Sequence, residues 1–105
     1  MGTPEATEEV TYEEIADHEE PVLRVKGSSS PQAVAAAISH SIYDNKKVVL
    51  RAIGAGAVNQ AVKACAIARG YVAPRGFDLS IRPGFVTVNL NGDDVSAITL
   101  LVVVT

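Results

Sequence analysis

The sequence predicts a small α/β domain built as an α+β two-layer sandwich, β-α-β-α-β-β, with two helices on one face of a four-stranded sheet. Three observations carry this prediction. Ser30-Pro31 followed by Val34, Ile38 and Ile42 reads as a helix start and its apolar stripe. Lys47–Ile53 is an apolar run interrupted by Arg51, the pattern of a central strand covered on both faces. Asn91-Gly92, set between two apolar stretches, is a strong hairpin signal. A length of 105 residues suits one domain.

The elements follow in order. Val22–Lys26 is a short strand in which Val22, Arg24 and Lys26 alternate with Leu23 and Val25. Gly27-Ser28-Ser29-Ser30 is a loop, and Ser30 is placed to cap the first helix, which ends near Asp44-Asn45. His40 falls on the side away from the apolar stripe. Gly54-Ala55-Gly56 makes a tight turn into a second helix over 57–69, closed by Gly70 as its left-handed terminator. Ala57, Ala61, Ala64, Ala66 and Ala68 make this helix thin and suited to close packing. A loop over 71–76 leads to strands over 77–90 and 95–104, and Pro83-Gly84 should bend or bulge the first of them. A two-residue hairpin loop pairs Val88 with Val95. A three-residue loop with Gly92 left-handed pairs Val86 with Ile98 and Val88 with Ser96. The second register is preferred, because it puts Ile98, Leu100 and Val102 on the face shared with Val86 and Val88.

Charge divides the chain into an acidic arm, residues 1–20, and a domain, residues 21–105. The arm holds eight acids and no Lys or Arg, and its composition predicts disorder; Val10, Tyr12 and Ile15 offer a short helix or a docking contact. The domain holds nine bases against four acids, a net of +5. Such a split suggests an anionic partner for the body, or two solvated surfaces. The arm is either a competitor for the basic surface or a solubilising tail. No stretch of about 18 apolar residues is present, so no membrane span is expected. One cysteine and no leader-like segment point to a reduced, cytoplasmic setting.

The 52–60 segment follows a strand and opens a helix, as a dinucleotide-binding turn does. Asn59 stands where the third glycine is needed, and no acid lies near 73 or 74 to hold a ribose. A phosphate loop would need Gly-Lys-Ser/Thr, which is absent. The turn is therefore either a plain strand-to-helix connection or a docking point for backbone phosphates, helped by Asn59 and Lys63. Cys65 reads as a small hydrophobe on the face of Val58, Ala61 and Val62. His18 and His40 have no neighbours for metal or triad chemistry. No catalytic set, metal site or cofactor is expected. Tyr71, Phe77 and Phe85 are the few candidates for base stacking, with Phe85 also a candidate for the core.

The run Ala52-Ile-Gly-Ala-Gly-Ala-Val-Asn-Gln-Ala-Val-Lys-Ala-Cys-Ala-Ile-Ala-Arg-Gly-Tyr-Val-Ala-Pro74 closely resembles the stage V sporulation protein S family. The likeness continues through Gly76, Asp78-Leu79, Pro83, Phe85, Gly92 and Ala97-Ile98, and begins at Leu23–Lys26 and Ser29–Pro31. It spans roughly 22–104 and leaves the arm out. The resemblance implies an Alba-like fold, the β-α-β-α-β-β sandwich of small nucleic-acid-binding proteins that usually dimerise. It also implies phosphate contacts from the 26–30 loop, the 54–63 turn and helix start, and the 82–94 hairpin. Two departures stand out: the hairpin tip Asn91-Gly92-Asp93-Asp94 is acidic, and the first loop carries only Lys26.

The functional expectation is a non-enzymatic regulatory protein that binds nucleic acid, DNA or RNA. The expected contacts are Lys26, Ser28, Ser29, Arg51, Asn59, Gln60, Lys63 and Arg82. The other class is a protein–protein interaction module that keeps the fold without nucleic-acid binding. A homodimer or larger assembly is expected, because both faces of the last strand are apolar and the second helix is thin.

Overall fold

The computed structural model describes residues 10–11, 22–44 and 47–105. The elements are β1 (Val10–Thr11), β2 (Val22–Val25), α1 (Pro31–Tyr43), β3 (Val48–Ala52), α2 (Ala55–Val72), a 3₁₀ turn (Ala73–Arg75), β4 (Leu79–Leu90) and β5 (Asp93–Val104). The four predicted strands and two helices are all present. The sheet runs β1-β2-β3-β5-β4, with β2 and β3 parallel and β5 antiparallel to both β3 and β4. The arm lies outside the described residues except at Val10–Thr11, which pair with Leu23 and Val22.

Local chemistry accounts for α1. The Ser30 side chain accepts a hydrogen bond from the Ala33 N–H at 3.2 Å, and Pro31 occupies the first turn. Val34, Ala35, Ile38 and Ile42 are buried at helical spacing, and the Asp44 N–H closes the helix on the His40 carbonyl. Ser39 is buried without a stranded hydroxyl, because it donates to the Ala35 carbonyl at 3.0 Å.

Both helices lie on one face of the sheet. Leu23, Val25, Val48, Leu50, Ala52, Leu100 and Val102 meet Val34, Ile38, Ala61, Ala64, Ala68 and Val72 in one core cluster. Each large aliphatic side chain so buried contributes about 1.5–3 kcal/mol. All five residues of β3 are buried, as its apolar run predicts. Strand alternation turns Val22, Arg24, Val49 and Arg51 to the opposite face.

Three expectations are corrected. α2 does not stop at Gly70. It continues through Val72, which is fully buried, so packing holds the last turn in place. The left-handed terminator is Gly76 at φ 88°, after the Pro74-containing 3₁₀ turn. The second correction is the hairpin register. Asn91 and Gly92 both have positive φ, 53° and 89°, the two-residue turn whose twist matches the strands. Val88 therefore pairs with Val95, and Phe85 pairs with Ile98. Ile98, Leu100 and Val102 share their face with Phe85 and Ile81, whereas Val86 and Val88 lie on the other face with Ala97 and Leu101. Third, Pro83-Gly84 makes no bulge: Arg82, Pro83 and Gly84 pair in unbroken register with Leu101, Leu100 and Thr99. β4 is an edge strand, where a missing N–H is tolerated.

Candidate functional site

The carboxyl end of β2 and the start of α2 are joined by a small polar framework. The 26–30 loop is closed on itself. The Ser29 N–H donates to the Lys26 carbonyl at 3.0 Å, and the Lys26 N–H donates to Ser29 Oγ at 2.9 Å. Ser29 is buried, and its carbonyl accepts from Gln60 Nε2 at 2.9 Å. The two backbones come together at Gly27 and Gly56, where a Cβ on Gly56 would stand in ordinary contact, 3.8 Å from Gly27 Cα. A loop and a helix start that are some 30 residues apart in sequence thus form one surface.

Lys26, Ser28, Asn59 and Lys63 are exposed on or beside it. Asn59 and Lys63 share a helix face, one turn apart. Gly54 begins α2 at φ 93° and ψ 157° without a side-chain cap, and the first turn carries no acid. The positive end of this helix is therefore left without a neutralising side chain in that turn. Ser29 and Gln60 are the struts that hold the surface together.

Arg82 is not brought to this end, and Arg51 meets Lys26 only on the opposite face of the sheet, where the two line a cavity. Arg51 lies between Leu50 and Ala52, both in the helix-side core, so it turns to the other face, where it is only 5 % exposed and engaged within the chain. Arg82 is exposed on β4, opposite Leu101, and shares a pocket of about 320 Å³ with Lys47, Phe77 and Val104. The sequence reading passed over Arg24, which pairs in register with Arg51 and lines a cavity with it. The alternation of Arg24 with Lys26 was the available signal. Phe85 is 69 % exposed and so is not a core residue.

At the far end of α2 the bases are occupied. Arg69 Nε donates to Asp78 Oδ1 at 2.6 Å, and the Arg75 guanidinium lies 4.1 Å over the Tyr43 ring. The Arg69 hydrogen bond, with a second from the Leu79 N–H, holds the Asp78 carboxyl below its usual range. Burial pushes the Cys65 thiol up to about 11, which keeps it protonated and a poor nucleophile at neutral pH. Among the described residues no group of three His, Cys, Asp or Glu is placed to hold a metal. No helix among them is long and apolar enough to cross a membrane.

The family model of stage V sporulation protein S matches residues 21–105. The chain belongs to the stage V sporulation protein S family. The match begins where the acidic arm ends and takes in every element from β2 to β5. Among solved structures, Alba from Thermoplasma volcanium is similar, with a TM-score of 0.54 over 80% of this chain and 98% of that one. The two are 17% identical, so the likeness is one of fold: this member of the stage V sporulation protein S family is Alba-like.

Proposed function

We propose that the chain is a non-enzymatic, cofactor-free, cytoplasmic regulatory protein that binds the sugar-phosphate backbone of a nucleic acid at the surface between the 26–30 loop and the start of α2. The observation that supports this most is the Gln60–Ser29 hydrogen bond, which sets Lys26 and Lys63 on one surface beside an uncapped helix start. Phosphates would meet two ammonium groups, the Ser28 hydroxyl, the Asn59 amide and the free N–H groups of the first turn. Stacking platforms are missing from this surface, so the binding is of backbone and not of base sequence.

The test is a titration of duplex DNA, single-stranded DNA and RNA over a range of salt. Log K should fall linearly with log salt, with a slope set by the number of phosphates contacted. No binding to any of the three at low salt would remove this reading.

A second reading, a protein-interaction module with the same fold, is favoured by one observation. Phe85 and Ile98 face each other across β4 and β5, beyond the cover of the helices, and stay 69 % and 36 % exposed. An aromatic so exposed on an edge strand suits a protein contact. A second copy of the chain is the partner proposed here, giving a homodimer or larger assembly compatible with either reading. Sedimentation at high micromolar concentration should show the assembly, and Phe85→Asp should dissociate it. A monomer at that concentration would exclude it.

A further inference from the structure

The face of the sheet away from the helices carries a feature that shares Lys26 with the surface described above and is otherwise distinct from it. Arg24 and Arg51 are register partners on the parallel strands β2 and β3. Lys26 and Ile53 follow them at the next positions on the same face. Leu90, at the hairpin tip, completes a cavity of about 170 Å³ lined by Arg24, Val25, Lys26, Gly27, Arg51, Ile53 and Leu90. It lies at the carboxyl ends of two parallel strands, where open α/β sheets place their ligands.

We propose that this cavity binds a phosphomonoester group. Among the described residues, three cations and no acid line it. Adjacent strands stand about 4.8 Å apart, so Arg24 lies beside Arg51 at the wall of the cavity. Arg51 is engaged within the chain and gives the wall its charge. Arg24, half-buried, and Lys26, exposed, are the donors, and among the described residues neither side chain has an ion-pair partner. The guanidinium fork of Arg24 matches two phosphate oxygens. Ile53 and Leu90, each 39 % exposed, form an apolar rim beside these contacts. A phosphomonoester carries about −1.5 to −2 at neutral pH, a better match to this charge than a monoanion. The volume is below the roughly 300 Å³ at which sites for larger organic ligands begin, so the cavity takes the phosphate head and leaves the rest of the molecule outside. Asp93, the cross-strand partner of Leu90, is exposed and outside the lining.

The phosphate has two sources: a free small phosphomonoester, or the terminal phosphate of a nucleic-acid strand. The experiment titrates the full chain with inorganic phosphate at constant ionic strength, following backbone amide shifts. Saturable shifts at Arg24, Lys26, Gly27 and Ile53 are expected, with chloride giving none. Arg24→Gln should weaken binding by about tenfold or more, the loss of a charge-assisted contact, while Arg24→Lys keeps part of it. Lys26 belongs to both surfaces, so Arg24, which the proposed nucleic-acid surface does not use, separates them: loss of the phosphate shifts in Arg24→Gln with nucleic-acid binding kept or absent reports this cavity alone. Oligonucleotides with and without a 5′-phosphate identify the source: preference for the phosphorylated end, lost in Arg24→Gln, assigns the strand terminus, and equal affinity assigns the free phosphomonoester. No saturable shift in the wild-type chain, or equal phosphate affinity in wild type and a folded Arg24→Gln, would overturn the proposal.

Discussion

The two ends of α2 carry the same kinds of residue in opposite states. At its carboxyl end Arg69 is bonded to Asp78, Arg75 lies on Tyr43, and Tyr43 in turn donates to the Tyr71 carbonyl at 3.3 Å. Bases there are part of the packing. At its amino end Lys63 has no ion-pair partner among the described residues, nor has Lys26 across the Gln60–Ser29 bridge. The polar bonds at that end shape the backbone and leave the charges outward. Counting bases along the sequence treats all nine alike. The structure separates those that hold the fold from those able to meet an anion.

The largest expected effect tests the backbone at the two ends. Gly54 sits at φ 93° and ψ 157°, a region only glycine enters without strain, while Gly76, at φ 88° and ψ 9°, is left-handed helical. Neither would meet a neighbour through an added Cβ, so the cost of substitution is conformational alone. Gly54→Ala should destabilise the protein by about 1–3 kcal/mol. Gly76→Ala should cost about 1–2 kcal/mol, and Gly76→Asn less, because Asn tolerates the left-handed region. Urea titrations measure all three. Equal stability of Gly54→Ala and wild type would mean that the amino end is not held as described.

Next in size is the charge at the two ends. Replacing Lys26 and Lys63 together by Ala should lower the salt slope of nucleic-acid binding by about two units. Replacing Arg69 and Arg75 together should leave the slope unchanged while lowering stability slightly. Identical slopes in the two double variants would break the distinction between the ends.

The fold was legible in the sequence because its signals are local. Ser30-Pro31, the Val34-Ile38-Ile42 stripe and the apolar 48–52 run each determine their own element. What was misread depends on contacts distant in sequence. Gly70 looks like a helix terminator, and only the burial of Val72 carries α2 past it. The apolar pattern favoured the three-residue register, and the positive φ of both Asn91 and Gly92 fixes the two-residue one, in which Phe85 meets Ile98 across the strands. For the site, the sequence pointed to the 26–30 loop and the 54–63 segment but not to the bond between Gln60 and the Ser29 carbonyl that joins them. It grouped Arg51 with Lys26, and the two line one cavity, on the sheet face away from the helices. Arg24 was passed over because its partner is register-paired on another strand.

A smaller effect is expected from the arm. Eight acids in residues 1–20 are tethered to a domain of net +5. The pairing of Val10 and Thr11 with β2 keeps the arm beside the domain, at a high effective concentration for its basic surface. Replacing the eight carboxylates by their amides, in the full-length chain, should tighten nucleic-acid binding a few-fold at low salt. The gain should vanish as salt rises, because exposed pairs are weak and screened. Equal affinity of the two proteins at low salt would make the arm a solubilising tail. It would leave the contrast between the ends of α2 unaltered.

The smallest effect belongs to the carboxyl end of α2. The Asp78 carboxyl is held below its usual range first by the Arg69 hydrogen bond and then by the Leu79 N–H. A carboxyl whose folded-state pKa is depressed stabilises the fold above its unfolded-state pKa, and the gain is lost as pH falls through the folded-state value. Stability should therefore decline on the acid side, below the ordinary carboxylate range, and Asp78→Asn should remove this part of the decline. Arg69 and Asp78 are 63% and 55% exposed, so the contribution is small and sensitive to salt. The gap between the denaturant midpoints of wild type and Asp78→Asn should narrow as pH falls below the ordinary carboxylate range. A constant gap across that range would mean that Asp78 acts through its shape at the end of α2, by accepting the Leu79 N–H, and not through its charge. The base Arg69 would then be as free as Lys63, and the two ends of the helix would differ less than their geometry indicates.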